Sequence, residues 1–308
     1  MPLPLTVAPK IASYAIQPPN PSSSFLAIEV SQATHRIHLI NALPSITPGI
    51  RILEIGCGQG TATQALAVAI SSPSPSPDAN PEQGHITALD PAPPDYGRPF
   101  TLAQAQSHLS SGPLGSLITF HQADPITYLS SHPTEKWDIA VLMHCIWYFP
   151  TPTTLLDILI ALKGRVRKVC IAEWALQATE PAATGHVLAA IARATFEAHR
   201  TGSGENIQTA LSPEGIKSVV AQAGWKVESE GVVVPEKGLE DGFWEAGTVV
   251  SKEFLEDMER EVGDDRVKAV LRSARDATVA AARMAGGEGA RGAHGVRSMD
   301  VWTATLVE

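Results

Sequence analysis

The 308-residue sequence is poor in cysteine, has no excess of basic charge and holds no long apolar run, and each shortage removes a class of function. Its three cysteines, Cys57, Cys145 and Cys170, are odd in number and stand at no metal-ligand spacing, so neither a disulfide framework nor a metal site is expected. Cys145 and Cys170 fall at predicted strand ends, where a reduced thiol serves as a small buried hydrophobe. That usage fits a reducing compartment. Lysine and arginine number 23 against 32 acidic residues, a net charge of −9. A protein that tracks a phosphate backbone needs the opposite balance, so no nucleic-acid partner is expected. No stretch reaches the ~18 uninterrupted apolar residues of a membrane span. Met1 to Gln17, broken by Pro2, Pro4 and Pro9, lacks the apolar run of a signal peptide. A cytoplasmic protein with no membrane partner is the expectation. No internal repeat is visible.

Hydrophobic residues make up 44% of the chain and charged residues 18%, enough for one α/β core of roughly 200 residues with helical additions. Apolar strands and helical spacings alternate from about residue 50 to 230, a pattern of parallel strands with helices on both faces. Arg51 to Ile55, Ile86 to Leu89, Ser116 to His121, Trp137 to Met143 and Lys168 to Glu173 read as five strands. Trp225 to Val234 and Met299 to Val307 supply the last two. Thr61 to Ile70 has helical spacing, and Ser212 to Ala223 reads as a helix with Ser212 as N-cap, Pro213 first and Gly224 at its end. The expected fold is a doubly wound, seven-stranded, mostly parallel, Rossmann-like sheet. Ser71 to Pro81, rich in serine and proline, reads as a solvated loop.

Three helical segments stand outside this alternation: Ser24 to Leu43, Ala182 to His199, and Lys252 to Met284 as one or two helices. Each alone is an ordinary packing helix. In an open α/β sheet, however, ligands sit beyond the carboxyl ends of the strands, and additions before the first strand and after the fifth can meet there as a lid. The chain therefore divides into a lid helix region over 1–45 and a core over 46–308 with helical insertions near 180–200 and 252–285.

The chemistry concentrates in Glu54-Ile55-Gly56-Cys57-Gly58-Gln59-Gly60-Thr61, which follows a strand and opens a helix. Glycine serves where backbone turns sharply or touches a ligand. The dinucleotide fingerprint places its third glycine one residue later, where this chain has Thr61. Glu54 also stands where a carboxylate would repel a pyrophosphate but suits a ligand bearing an ammonium or sulfonium charge. Asp90 ends the second strand, where an acid accepts hydrogen bonds from ribose hydroxyls. It also suits a turn before Pro91. It lies 30 residues past Gly60, or 19 without the 11 residues of the Ser71 to Pro81 loop, close to the usual ~20. Ala123-Asp124 follows the third strand, and Asp138 and His144 bracket the fourth.

Together these residues resemble the ordered motifs of the class I S-adenosylmethionine-dependent methyltransferases, over roughly residues 50 to 175. The resemblance implies S-adenosylmethionine as cofactor. It implies that Glu54, Gly56, Gly58 and Gly60 cradle the methionine part, that Asp90 holds the ribose and that Ala123 and Asp124 flank the adenine. It also implies a sheet ending in an antiparallel hairpin, here interrupted by Lys252 to Met284.

Metal-dependent members of that family carry an Asp after strand four and an Asp-Asn pair after strand five. His144 and Glu173-Trp174 stand there, so no metal is expected. Amino-methylating DNA enzymes carry an Asn/Asp-Pro-Pro-aromatic motif after strand four, where this chain reads His144-Cys145-Ile146-Trp147-Tyr148. A small organic acceptor, methylated on O, N or C, is the remaining reading. Trp147 and Tyr148 can line the acceptor pocket by stacking or cation–π contact, or pack under the next helix beside Phe149. Tyr14 and His35 are lid candidates for touching substrate, with weaker claims for Glu173, Trp174 and Trp244. His144 is the candidate catalytic base, since an imidazole titrates near working pH. It could equally hydrogen-bond backbone or touch the cofactor. A rival reading keeps the cofactor without methyl transfer, as in pericyclase-type or regulatory relatives of this fold.

Overall fold

The computed structural model describes residues 2–71, 84–200, 204–286 and 292–308. Its strands are β1 (Arg51–Ile55), β2 (His85–Asp90), β3 (Ile118–Gln122), β4 (Ile139–Met143), β5 (Lys168–Trp174), β6 (Lys226–Val233) and β7 (Val301–Val307). Its helices are α1 (Ala8–Ala12), α2 (Ser23–Ala42), α3 (Thr61–Ser71), α4 (Leu102–Ser111), α5 (Pro125–Ser131), α6 (Pro152–Ala161), α7 (Thr184–Glu197), α8 (Pro213–Gln222), α9 (Asp241–Val250), α10 (Lys252–Glu261) and α11 (Asp265–Gly286). The strands form one sheet in the order β3-β2-β1-β4-β5-β7-β6, with β7 antiparallel to both neighbours. The expected Rossmann-like, seven-stranded sheet is therefore present.

Local chemistry explains the boundaries. The central strands are short runs of Ile, Leu, Val and Ala, buried along their length because helices cover both faces. Ser22 caps α2 by accepting from the Phe25 N–H, and Ser212 caps α8 before Pro213, each satisfying a backbone donor that the helix leaves free. The third strand starts at Ile118 rather than Ser116 because Gly115–Leu117 close a 3-10 turn. The span Lys252 to Met284 is two helices, and α9 before them had no counterpart in the sequence reading. Most of the Ser71 to Pro81 loop lies outside the described residues.

Register positions the site. Ile55 is level with both Leu89 and Leu142, and Met143 with Ala172. The glycine loop, Asp90 and His144 thus leave the sheet side by side at the switch point between β1 and β4, where open α/β sheets bind ligands.

Three apolar clusters result. Two lie on the two faces of the sheet, and α1 and α2 join the first through Ile11, Ala33, Ile37 and Leu39. The third belongs to α7, α9, α10 and α11 and to Ala293 and Val296, which form a helical cap. Among the described residues no helix is long and apolar enough to cross a membrane. All three cysteines are buried free thiols.

Candidate active site

The glycine loop is held from both sides. The N–H groups of Gly56 and Cys57 donate to Leu89 O at 2.8 and 3.1 Å. Gly58 N–H donates to Asp90 Oδ2 at 2.8 Å, and Gln106 Nε2 donates to Gly58 O at 2.8 Å. Gly56 has φ +73°, and a Cβ there would stand 2.5 Å from Cys145 Cβ, so only glycine lets the loop pass the end of β4. Gly58, at φ +52°, has nothing within 4 Å of such a Cβ. It leaves open space above a backbone turn that Asp90 braces. Asp90 also accepts from Ala92 N–H at 2.9 Å, so both carboxylate oxygens face the loop mouth.

Glu54 lies under this loop, 2% exposed, and its Oε2 has no hydrogen-bond partner. Burial raises its carboxyl to about 8, with Asp90 adding to the rise and Thr63 and Arg36 opposing it. An unpartnered buried carboxyl beside an open glycine turn suits a cationic ligand group, because an ammonium would supply both the missing donor and the missing charge. Ala123 N–H donates to Asp90 O at 3.0 Å, placing it beside the mouth. The Asp124 carboxylate caps α5, accepting from the N–H and hydroxyl of Thr127 at 2.9 and 3.0 Å.

Across the switch point three imidazoles cluster, His35 and His186 buried and His144 nearly so. His144 leaves β4 with φ +54°, a left-handed conformation that costs a non-glycine residue about 1–3 kcal/mol. Its Nε2 is 3.0 Å from Nε2 of His35, which α2 delivers from outside the sheet. Its Nδ1 is 3.7 Å from Glu173 Oε1. Glu173 ends β5 and is 1% exposed. Its carboxylate accepts the Ile146 and Trp174 N–H groups at 2.8 and 2.9 Å. Trp174 is the wall against which the rings lie: its centroid is 4.3 Å from His144, 5.9 Å from His35 and 5.0 Å from His186. His186 is tied off, since its Nδ1 accepts Met299 N–H at 2.9 Å, and burial pulls its pKa to about 4. Burial also lowers His35 and His144. Arg36 and His144 add to the effect at His35, whereas Glu173 works against it at His144.

Arg36, next to His35, reaches the same cluster. Its Nη1 donates to Gln32 Oε1 at 3.0 Å, Gln32 Nε2 donates to Asp241 Oδ2 at 2.9 Å, and its Nε is buried without a partner. At the mouth stands Tyr148, whose phenol is raised by burial and by Tyr96, Glu245 and Glu173, with Asn206 opposing. Asn206 Nδ2 donates to Glu245 Oε1 at 2.9 Å, and Arg193 pairs with Glu245 and with Glu205.

The residues expected from sequence thus divide. Glu54, Gly56, Gly58, Asp90, His144 and His35 converge, with Glu173, Trp174 and Tyr148 around them. Gly60 sits deeper, where a Cβ would strike Leu109. Trp147 is 3% exposed and donates its indole N–H to Leu211 O at 3.0 Å, while its carbonyl accepts Gln208 and Thr209 N–H. It anchors the loop after Glu205. Tyr14 is half-buried against the first core, and Trp244 is exposed on α9. Arg36, Asp241, Asn206 and Glu245 had no sequence signature. Only the adjacency of Arg36 to His35 hinted at one of them.

A family model described as a methyltransferase domain matches residues 29–230. The methyltransferase phomM of Diaporthe leptostromiformis is 31% identical over 96% of this chain and 80% of its own length, and phomM' of the same organism matches equally. The crystal structure of a cyclopropane-fatty-acyl-phospholipid synthase-like protein from Lactobacillus casei is 27% identical, with a TM-score of 0.77 over 98% of this chain and 99% of that one.

Proposed function

The chain belongs to the class I S-adenosylmethionine-dependent methyltransferases, and from that premise we propose that it methylates a small organic acceptor that must lose a proton, with His144 as the group that carries the proton away. When bound, S-adenosylmethionine supplies an electrophilic methyl on sulfur, displaced in line by the acceptor. Glu54, Gly56, Gly58 and Asp90 are the residues that would hold it. The orphaned Glu54 oxygen suits its ammonium, and the Asp90 carboxylate suits its ribose hydroxyls. Gly60, Ala123 and Asp124 complete the set, the last two beside the adenine.

The observation that carries the reading is the strained, nearly buried His144 at the end of β4, beside Glu173 and the glycine loop. Backbone strain of this kind persists where surrounding packing holds a side chain for use. A neutral imidazole in that place takes up the proton that an O–H or N–H acceptor releases as the methyl arrives, and Glu173 stabilises the resulting cation. The cluster's second contribution is exclusion of water and alignment. Tyr148 at the mouth and the Trp174 wall offer faces for a planar or cationic acceptor.

The test is a His144→Ala variant, assayed with labelled cofactor and cell extract and read by mass spectrometry. Turnover should fall roughly 10²-fold or more, with cofactor affinity by calorimetry nearly unchanged. Because burial lowers the imidazole pKa, wild-type turnover should rise with pH below the ordinary histidine range and be flat above it. Parallel loss of binding and turnover would make His144 a cofactor contact instead.

A further inference from the structure

His144 Nε2 faces His35 Nε2 at 3.0 Å, and its Nδ1 is buried 3.7 Å from Glu173 Oε1, beyond hydrogen-bond distance of it. An acceptor approaching His144 therefore finds Nε2 covered by a second imidazole and Nδ1 turned toward a carboxylate. His35 is placed differently. Its Nε2 meets His144, while its Nδ1 is buried with neither a histidine nor a carboxylate as partner. It reaches the cluster on α2, whose Ile37 and Leu39 are anchored in the sheet's first core.

From this geometry we propose that the base is a two-histidine relay in which His35 Nδ1 takes the acceptor's proton and His144 passes the resulting charge to Glu173. The proposal rests on the reading of His144 as the proton carrier and adds the atom at which the proton enters.

Elementary hydrogen-bond counting sets the direction. Only one hydrogen fits between two Nε2 atoms 3.0 Å apart, so one ring donates and the other accepts. If His144 donated, its bare Nδ1 lone pair would face the Glu173 carboxylate, which repels it. If His35 donates, His144 presents an Nδ1–H to Glu173, and His35 keeps a bare, basic Nδ1. The second arrangement removes that repulsion and turns the His144 N–H toward the carboxylate.

The charges around each ring agree. His35 faces Arg36 and His38 as well as His144, so a resting positive charge is disfavoured there. His144 faces Glu173 and Asp241 as well as Arg36, His35 and His186. The step balances as follows. The acceptor's O–H or N–H bond breaks as its lone pair bonds the methyl, whose bond to the cofactor's sulfur would break with the electron pair left on that sulfur, and a new N–H forms at His35 Nδ1. The His35 Nε2 hydrogen moves to His144 Nε2. The product is an imidazolium at His144 whose Nδ1–H points at the Glu173 carboxylate, with His35 neutral in its other tautomer. The Trp174 indole packs beside both rings and keeps them in register.

Imidazole nitrogen NMR on the uniformly 15N-labelled full chain at neutral pH tests this without an acceptor, with His35→Gln and His144→Gln used to assign the signals. The expected result is a bare Nδ1 and protonated Nε2 on His35, with protonated Nδ1 and bare Nε2 on His144. On acidification the first proton of the pair should appear on His144, at a lower pH in Glu173→Gln. A hydrogen on His35 Nδ1, or on His144 Nε2, at neutral pH overturns the relay. In the extract assay, His35→Gln should lose at least tenfold in kcat with cofactor affinity within about twofold of wild type, a drop of about 1.4 kcal/mol or more in transition-state stabilisation. Unchanged kcat in His35→Gln overturns the entry point. Unchanged turnover in His144→Ala would instead defeat the underlying reading, even with the tautomers as expected.

Discussion

The sheet and the helical cap bury their interiors by different means. In the sheet, the core is made by consecutive residues: Ile52, Leu53 and Ile55 in β1 and all of β4 are within it, alternating between its two faces. The cap gathers α7 and then α9 to α11 from either side of α8 and β6, and meets in Phe196, Phe254, Met258, Leu271 and Ala282. The sheet's functional groups stand at strand ends, where register alone aligns them. The cap and α2 bring Arg36, Arg193, Asp241 and Glu245 by packing, where Arg193 pairs with Glu245 and Glu205 and Asp241 accepts from Gln32 of α2. On the proposed reading the sheet would hold the cofactor while α2 and the cap would shape the acceptor side, and the two could change separately.

The largest expected effects test that separation directly. Leu53→Ala in β1 and Leu271→Ala in α11 both empty a fully buried site and should each cost roughly 2–5 kcal/mol in denaturant unfolding. Leu53→Ala should also weaken cofactor binding, because the strand carries Glu54. Leu271→Ala should leave that affinity within about twofold, and equal losses in both would break the distinction. Next, Arg193→Ala strips Glu245 of its cation in the half-buried mouth and should cost about 2–3 kcal/mol, with more damage to turnover than to cofactor affinity.

Glu54 sharpens the comparison from the sheet side. Its folded-state pKa of about 8 lies above the ordinary 4.5, so between those values the folded chain binds more protons than the unfolded one. Stability therefore falls as pH rises through that window. Wild type should lose on the order of 1–2 kcal/mol more than Glu54→Gln between about pH 6 and 8, read from paired urea melts. Cofactor binding should run the other way, tightening as pH rises toward 8 and releasing protons in the calorimeter, because the ionised carboxylate gains a cationic partner. The smallest effect is at Asp124. As an exposed helix cap, its replacement by Ala should cost about 1 kcal/mol, and the accompanying change in cofactor affinity measures what it adds beside the adenine.

Strand alternation, the glycine loop and Asp90 could be read from sequence because each depends on neighbours within a few residues. The strands are apolar runs, the loop sets Gly56, Gly58 and Gly60 at alternate positions directly after β1, and Asp90 directly ends β2. The helix α9 escaped notice, although it carries Asp241 and Glu245, and Trp147 read as a pocket aromatic while its indole holds Leu211 in place. In both cases the deciding contact is with a residue remote in the chain.

The local code by itself determined a Rossmann-like sheet, and register carries the glycine loop and Asp90 to adjacent strand ends. Tertiary structure alone decided that His35 meets His144 across 109 positions, that Glu173 lies behind them and that half-buried Arg36 stands beside them. Those contacts arise where α2 and the cap fold over the sheet, and their energies come from exclusion of water and pairing of charge. Both depend on which groups meet in space, and no short-range pattern records that.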